Sequence, residues 1–361
     1  MPYLQDWSWF SEPDVGDTLR ERDIASPIQR MLNSQVILVK RARGIPAADN
    51  FALVQSPMPV CPPGGILVRN IALSVDAGMR GWVSEEASYA SVPVDTVMRS
   101  YAIGEVLESN CTAHRVGDTV FGLFNWQQYC GAGAEAALWK VDLQLAPAST
   151  WLGALGISGL AAWVGLTDFA SHAPGETILV STAAGGVGSI VGQLARRRGL
   201  KPIGLAGRDA KVVACTAEFG YDAAINYRRP DFASALEALT PAGIDLFFDN
   251  TGGEIADVVF SRLNPRARII QCGTAAISSW AETPRGPRRE REVLIKELSW
   301  KGFIVLKHLR RAPAAHAELT QLIADGQLRL REHVLEGLAS APGALALLYA
   351  GDNEGRLSIR L

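Results

Sequence analysis

Residues 183 to 189 read Ala-Ala-Gly-Gly-Val-Gly-Ser, and these residue types at this spacing can hold phosphate. Glycine lets the backbone turn sharply and approach a charged ligand, while a helix starting directly after the turn offers unpaired N–H groups and the positive end of its dipole. The pattern is A-x-G-x-V-G rather than a full G-x-G-x-x-G, so its meaning depends on a strand before it and a helix after it. Both are legible: Thr177–Thr182 is a short apolar run, and Val187, Ile190, Val191, Leu194 and Ala195 fall at helical spacing as far as Gly199. Together they point to a dinucleotide. Further along comes Ala206-Gly-Arg-Asp-Ala-Lys211. No acid stands at the strand end itself to accept from a ribose 2′-OH, and Arg208 and Lys211 offer two charges to a 2′-phosphate, so NADP(H) is the expected cofactor. Asp209 keeps an NAD-type site open, as does the reading of both cations as solvated surface charges.

The elements that must position this turn follow a strand–helix rhythm. Strands are expected at Pro202–Ala206, Asp222–Ile225, Ile244–Phe248, Ala267–Gln271 and Gly302–Val305, with helices at Ala210–Phe219, Asp231–Leu239 and Ala314–Asp325. Alternation of this kind predicts an α/β fold built on a doubly wound parallel sheet. Before it, from Val36 to Pro147, short β-branched runs are broken by Gly, Pro and Asp, among them Val36–Val39, Gly65–Val75, Ile103–Leu107 and Asp118–Gly122. That text predicts a second, mostly β domain. The tail Arg356–Leu361 reads as a strand returning to it. The expected division is an N-terminal extension at 1–34, a catalytic β domain at 35–152 with 312–361, and a dinucleotide-binding domain at 153–311. Leu143–Thr167 is uncharged apart from Asp168 beyond its end, but Pro147 and four glycines spoil it as a membrane span, and it reads as a domain junction.

Composition narrows the function class. The 361 residues carry 35 Lys+Arg against 37 Asp+Glu, a formal charge of −2, so no field is present to gather nucleic acid or an anionic membrane. Five cysteines without C-x-x-C spacing suit a reducing cytoplasm, and the N-terminus lacks the pattern of a secretory signal. A β domain before a dinucleotide domain is also the layout of alcohol dehydrogenases that need catalytic zinc, commonly with a Gly-His-Glu element. Here the text is Ile103-Gly-Glu-Val106, and His114, placed in a surface turn, is the only histidine of that block. No metal site is expected.

Three further segments carry a resemblance. Leu73-Ser-Val-Asp-Ala-Gly-Met-Arg-Gly81 resembles L-S-V-D-P-Y-M-R-G, Val116-Gly-Asp-Thr-Val-Phe-Gly-Leu-Phe-Asn-Trp126 resembles V-G-D-x-V-x-G-x-x-x-W, and Asp249-Asn-Thr-Gly-Gly-Glu254 resembles D-N-V-G-G-E. Phe219–Tyr227, Gly302–Val305 and Gly351–Arg356 match in the same order. Over residues 36–361 the chain resembles the zinc-independent medium-chain dehydrogenases/reductases, in the branch of prostaglandin, curcumin and plant alkenal double-bond reductases. The resemblance implies a Rossmann sheet with a GroES-like β domain, a homodimer, and NADPH-dependent reduction of the C=C bond of an α,β-unsaturated ketone or aldehyde, by hydride transfer to the β-carbon and protonation of the enolate. It implies that Gly186, Val187, Gly188 and Ser189 meet the pyrophosphate, Lys211 the 2′-phosphate and Tyr227 the adenosine end. Asn250, Cys272, Phe303, Ile304, Val305 and Asn353 surround the rest of the cofactor. For proton delivery the branch offers a Ser-Tyr, matched by Ser88-Tyr89, and a second tyrosine whose place Trp280 takes after a two-residue insertion. An indole is no practical acid, which leaves Tyr89 or water. Ala77-Gly78 replaces Pro-Tyr and reshapes the pocket. A carbonyl or quinone oxidoreductase with the same cofactor, or an inactive NADP-binding protein of this fold, remains the alternative.

Overall fold

The computed structural model describes residues 32–85, 90–276 and 285–361. The first part of the chain is β-rich: β1 (Leu32–Leu38), β2 (Phe51–Pro57), β3 (Gly65–Ser74), the short helix α1 (Met79–Val83), β4 (Tyr101–Ser109), β5 (Thr119–Leu123), β6 (Tyr129–Gly133) and β7 (Ala137–Lys140). Helices α2 (Ala148–Leu152) and α3 (Ile157–Val164) follow, and α3 runs into a π-helical turn at Gly165–Phe169. Next come β8 (Thr177–Ser181), α4 (Gly188–Arg197), β9 (Lys201–Ala206), α5 (Asp209–Ala217), β10 (Ala223–Asn226), α6 (Phe232–Leu239), β11 (Ile244–Asp249), α7 (Gly253–Phe260), β12 (Leu263–Gln271), α8 (Glu290–Ile295) and β13 (Ser299–Gly302). The chain closes with α9 (Ala312–Ala324), β14 (Glu332–Glu336), α10 (Ala341–Ala350) and β15 (Arg356–Arg360).

Strands β8 to β13 form one parallel sheet in the order β10-β9-β8-β11-β12-β13. In the sheet's own numbering this is 3-2-1-4-5-6, so the winding reverses between β8 and β11 and opens a crevice at their carboxyl ends. The central strands carry the sequence mark of burial on both faces: Ile178, Leu179 and Val180 in β8 and Leu246, Phe247 and Phe248 in β11 are fully enclosed. The second sheet is mostly antiparallel, ordered β14-β15-β3-β4-β5-β7 with β6 also on β3. Its core stacks Phe121 between Tyr101 and Trp139, and the buried Trp126 finds a partner for its indole N–H in the Ser74 carbonyl at 3.1 Å. β15 returns to this sheet, pairing Ser358 with Ser74, as the tail predicts.

The expected fold class, a doubly wound parallel sheet with a mostly β partner, is the observed one. Locally the structure corrects or adds to the sequence reading. Gly302–Val305 is not a strand: the register with β12 ends at Gln271↔Gly302, the Phe303 N–H makes one last bond to the Gln271 carbonyl at 3.3 Å, and Val305–Arg311 winds into a 3₁₀ helix. Residues 143–167, expected as a domain junction, carry α2, α3 and the start of the π-helical turn. Helix α10 has no apolar stripe to announce it, since its Ala and Leu residues surround the axis. His114 is buried at 9% exposure, with Nε2 3.2 Å from the Ala134 carbonyl oxygen, because the β4–β5 turn folds under residues 134–136 instead of facing solvent. No helix among the described residues is long and apolar enough to cross a membrane.

Candidate functional site

At the carboxyl end of β8 the chain turns through Thr182, whose φ of +56° is unusual for a β-branched residue. The glycines after it answer close approaches. A Cβ on Gly188 would lie 2.3 Å from the Thr182 carbonyl oxygen, and one on Gly186 would lie 3.2 Å from both Ser158 Oγ and Arg356 Cδ. Helix α4 therefore begins with its amide groups at the crevice floor, where a pyrophosphate can be bound. Tyr221 holds that first turn from behind, its hydroxyl donating to the Gly188 carbonyl at 2.6 Å.

The end of β9 gathers cations. A Cβ on Gly207 would touch the Tyr227 hydroxyl at 2.7 Å and Arg228 Nε at 3.4 Å, so only glycine leaves this corner open. Lys211 donates to Asn353 Oδ1 at 3.4 Å, and its amine is held below the ordinary lysine value, first by burial and then by the charges of Arg208 and Arg228. Arg208 is paired with Asp352 and also reaches the Ala350 carbonyl. Such a like-charge cluster is unfavourable in the free protein and favourable once a phosphate dianion sits in it. Asp209 points elsewhere: its carboxylate accepts from Asn226 at 2.8 Å, and it does not line the cavity.

From these two features one cavity of about 1080 Å³ runs across the switch point to the β domain. Every cofactor residue named from sequence lines it except Ser189, which is buried one residue into α4. Asn250 is pinned by its own N–H to Ser181 Oγ and by Nδ2 to the Ser181 carbonyl, both at 2.7 Å. Cys272 hangs from the Asp249 carbonyl through its N–H, and burial pushes its thiol up to about 12, so it stays a neutral wall atom. Phe303 stacks on Phe169 at 4.9 Å, and His308 stands edge-on to both rings. The far wall holds Ala77, Gly78, Trp82 and Tyr101. Tyr89 and Trp280, together with Ser88, lie outside the described residues.

Three arginines of the cavity escaped the sequence reading, although two were inside quoted motifs. Arg80 follows Met79, Arg228 follows Tyr227, and Arg356 ends Gly351–Arg356. Arg356 is 8% exposed; it pairs with Asp76 at 2.8 Å, donates to the Val75 carbonyl at 2.7 Å and to Ser74 Oγ, and lays its methylenes against Gly186. It thus clamps the Leu73–Asp76 segment onto the glycine turn. The residues present fit a bound NADP(H): a turn that side chains would fill, and a cation cluster with too little negative charge of its own. They do not fit zinc. Among the described residues no group of three or more His, Cys, Asp or Glu is placed to hold a metal, and His114 faces a carbonyl.

Comparison with known proteins agrees with this geometry. Residues 34–141 match a family model described as the N-terminal domain of oxidoreductase, and residues 186–324 match one described as zinc-binding dehydrogenase. The chain is 38% identical over 333 residues to YfmJ of Bacillus subtilis, by name an NADP-dependent oxidoreductase, covering 91% of this chain and 97% of that one. It is 34% identical to the NADPH-dependent curcumin reductase of Escherichia coli, over 92% of this chain and 98% of the relative. The crystal structure of CurA from Vibrio vulnificus in complex with NADPH superposes with a TM-score of 0.85 at 35% identity, covering 91% and 98% of the two chains.

Proposed function

Because the chain belongs to the zinc-independent medium-chain dehydrogenases/reductases, as an NADP(H)-dependent oxidoreductase of the curcumin, prostaglandin and alkenal reductase branch, we propose that it reduces the C=C bond of α,β-unsaturated ketones or aldehydes. One observation carries the reading. The cavity joins the phosphate-binding turn to a wall where Ala77, Gly78, Trp82 and Tyr101 offer apolar surface, which suits the conjugated part of a substrate laid against the cofactor.

When bound, NADPH supplies the hydride that adds to the substrate's β-carbon. The chain's own residues then do the rest. Phe303, Ile304 and Val305, just past the end of β13, line the same cavity as Asn250 and Cys272 and together would hold the nicotinamide end. Holding the two reactants in this slot removes most of the orientational cost of the transfer. Negative charge gathers on the carbonyl oxygen as the enolate forms, and a proton from Tyr89 or from water completes the α-carbon. Hydride and proton together saturate the double bond. An indole is no practical acid, so the reading gives Trp280, matched by sequence to the place of a second tyrosine, no part in the proton transfer. Ala77 and Gly78 in place of Pro-Tyr widen the substrate end and shift its preference. For assembly we read a homodimer: β13 is an edge strand that carries Trp300 51% exposed, a surface that pairing would cover. Sedimentation at monomer mass would overturn that assembly.

The test follows NADPH absorbance with a simple enone, a matching saturated aldehyde and a quinone, and identifies the product. Consumption with the enone and recovery of the saturated ketone are expected. Oxidation of NADPH only by the quinone or the aldehyde would replace this reading, and none with any of the three would make the chain a binding protein.

A further inference from the structure

Arg80 is only 7% exposed and lines the cavity, yet among the described residues no carboxylate meets it. Its Nη1 donates to the Ala275 carbonyl at 3.3 Å, and the guanidinium lies 4.6 Å over the ring of Tyr349. A carbonyl and an aromatic face stabilise a buried cation only in part. The contrast with Arg356, equally buried and fully matched, is direct. Asp76 is the one carboxylate among the described lining residues, and it is engaged by Arg356 at 2.8 Å and by Ser74 Oγ at 2.5 Å.

The remaining cavity charges have assignments. Arg208, Lys211 and Arg228 stand together at the 2′-phosphate corner, and the start of α4 serves the pyrophosphate. Arg80 stands on the other side, where α1 faces the loop that follows β12, and Lys307 adds positive charge to the same cavity. A planar guanidinium in a dry wall is suited to a carboxylate, which it can grip through two parallel N–H groups.

We propose that Arg80 binds a carboxylate carried by the substrate, so that the preferred unsaturated ketone or aldehyde is an acid anchored between α1 and the Cys272–Ala276 loop. This rests on the enone reading and narrows its substrate class. The first arm needs no turnover. Calorimetric titration of the NADP⁺-loaded protein with a medium-chain saturated oxo-acid and with its methyl ester should show the acid binding ~10- to 100-fold more tightly, the range expected of a hydrogen-bonded charge pair. An ester that binds as well as the acid overturns the proposal. The second arm compares an unsaturated oxo-acid with its ester by kcat/KM: Arg80→Gln should reduce the preference for the acid tenfold or more, and Arg80→Lys should restore part of it. A preference unchanged in Arg80→Gln overturns the proposal, as does weakened NADPH binding with that preference intact. Acid preference in the binding arm, with no turnover of either enone, supports this assignment and removes the enone reading instead.

Discussion

Lys211→Ala should weaken NADPH while leaving NADH nearly as it was. The lysine is half-buried at the corner where Arg208 and Arg228 also converge, and Arg208 is partly neutralised by Asp352. A 2′-phosphate therefore draws much of its charge match from Lys211 and Arg228. Losing one hydrogen bond between charged groups costs about 1.5–3 kcal/mol, or roughly 10- to 100-fold in Kd. The lower part of that range is expected, because two cations remain and lose a repulsive neighbour. Since NADH has no phosphate at this position, its affinity should change by less than about threefold. The pH dependence follows from the same cluster. Burial and like charge hold the Lys211 amine below the ordinary lysine value, so in the free protein it loses its proton earlier than a solvated lysine would. NADPH affinity should fall as pH rises through that lowered value, while NADH affinity stays level. The unfolded chain keeps its proton up to the ordinary value, so between the two values the unfolded state binds more protons and the free protein gains stability with rising pH. Fluorescence titration of both cofactors, at neutral pH and across the alkaline range, measures each effect. Equal losses for NADPH and NADH in Lys211→Ala, or a cofactor preference that does not decline with pH in the parent, would refute the placement of the phosphate here.

Asp76→Asn should leave Arg356 buried without its counter-charge, at a cost of about 3–5 kcal/mol, and scanning calorimetry should find Tm lowered by several degrees; an unchanged Tm would show that the clamp on the glycine turn is not electrostatic. Prolonged chelation should leave turnover intact, and stoichiometric zinc by elemental analysis with activity lost on its removal would contradict the donor set described above. Tyr89→Phe should lower single-turnover NADPH oxidation by an enone ~10²-fold or more with cofactor affinity unchanged. Reaction at the parental rate would assign the proton to water.

Sequence and tertiary structure divided the molecule between them along a physical line. Short-range signals were enough wherever one segment carries its own reason for its shape. The turn at Ala183–Ser189 is readable because strand, glycines and helix are adjacent, and strands such as β8 and β11 are readable because burial on both faces forces continuous apolar runs. Even there the pattern stopped short: Phe303 and Ile304 are as apolar as a strand should be, and only the end of pairing at Gly302 turns them toward the cavity. Helix α10, apolar all round, gave no period to read. Contacts between distant positions were decided by the assembled fold. Arg80 meets Ala275 across 195 positions, Arg356 reaches Val75 across 281, and Arg228 comes beside Gly207 and Lys211 because β10 pairs with β9. A charged side chain in sequence reads as surface, since burial of charge is costly. Only the packed structure shows which of these charges are enclosed and which of them have partners.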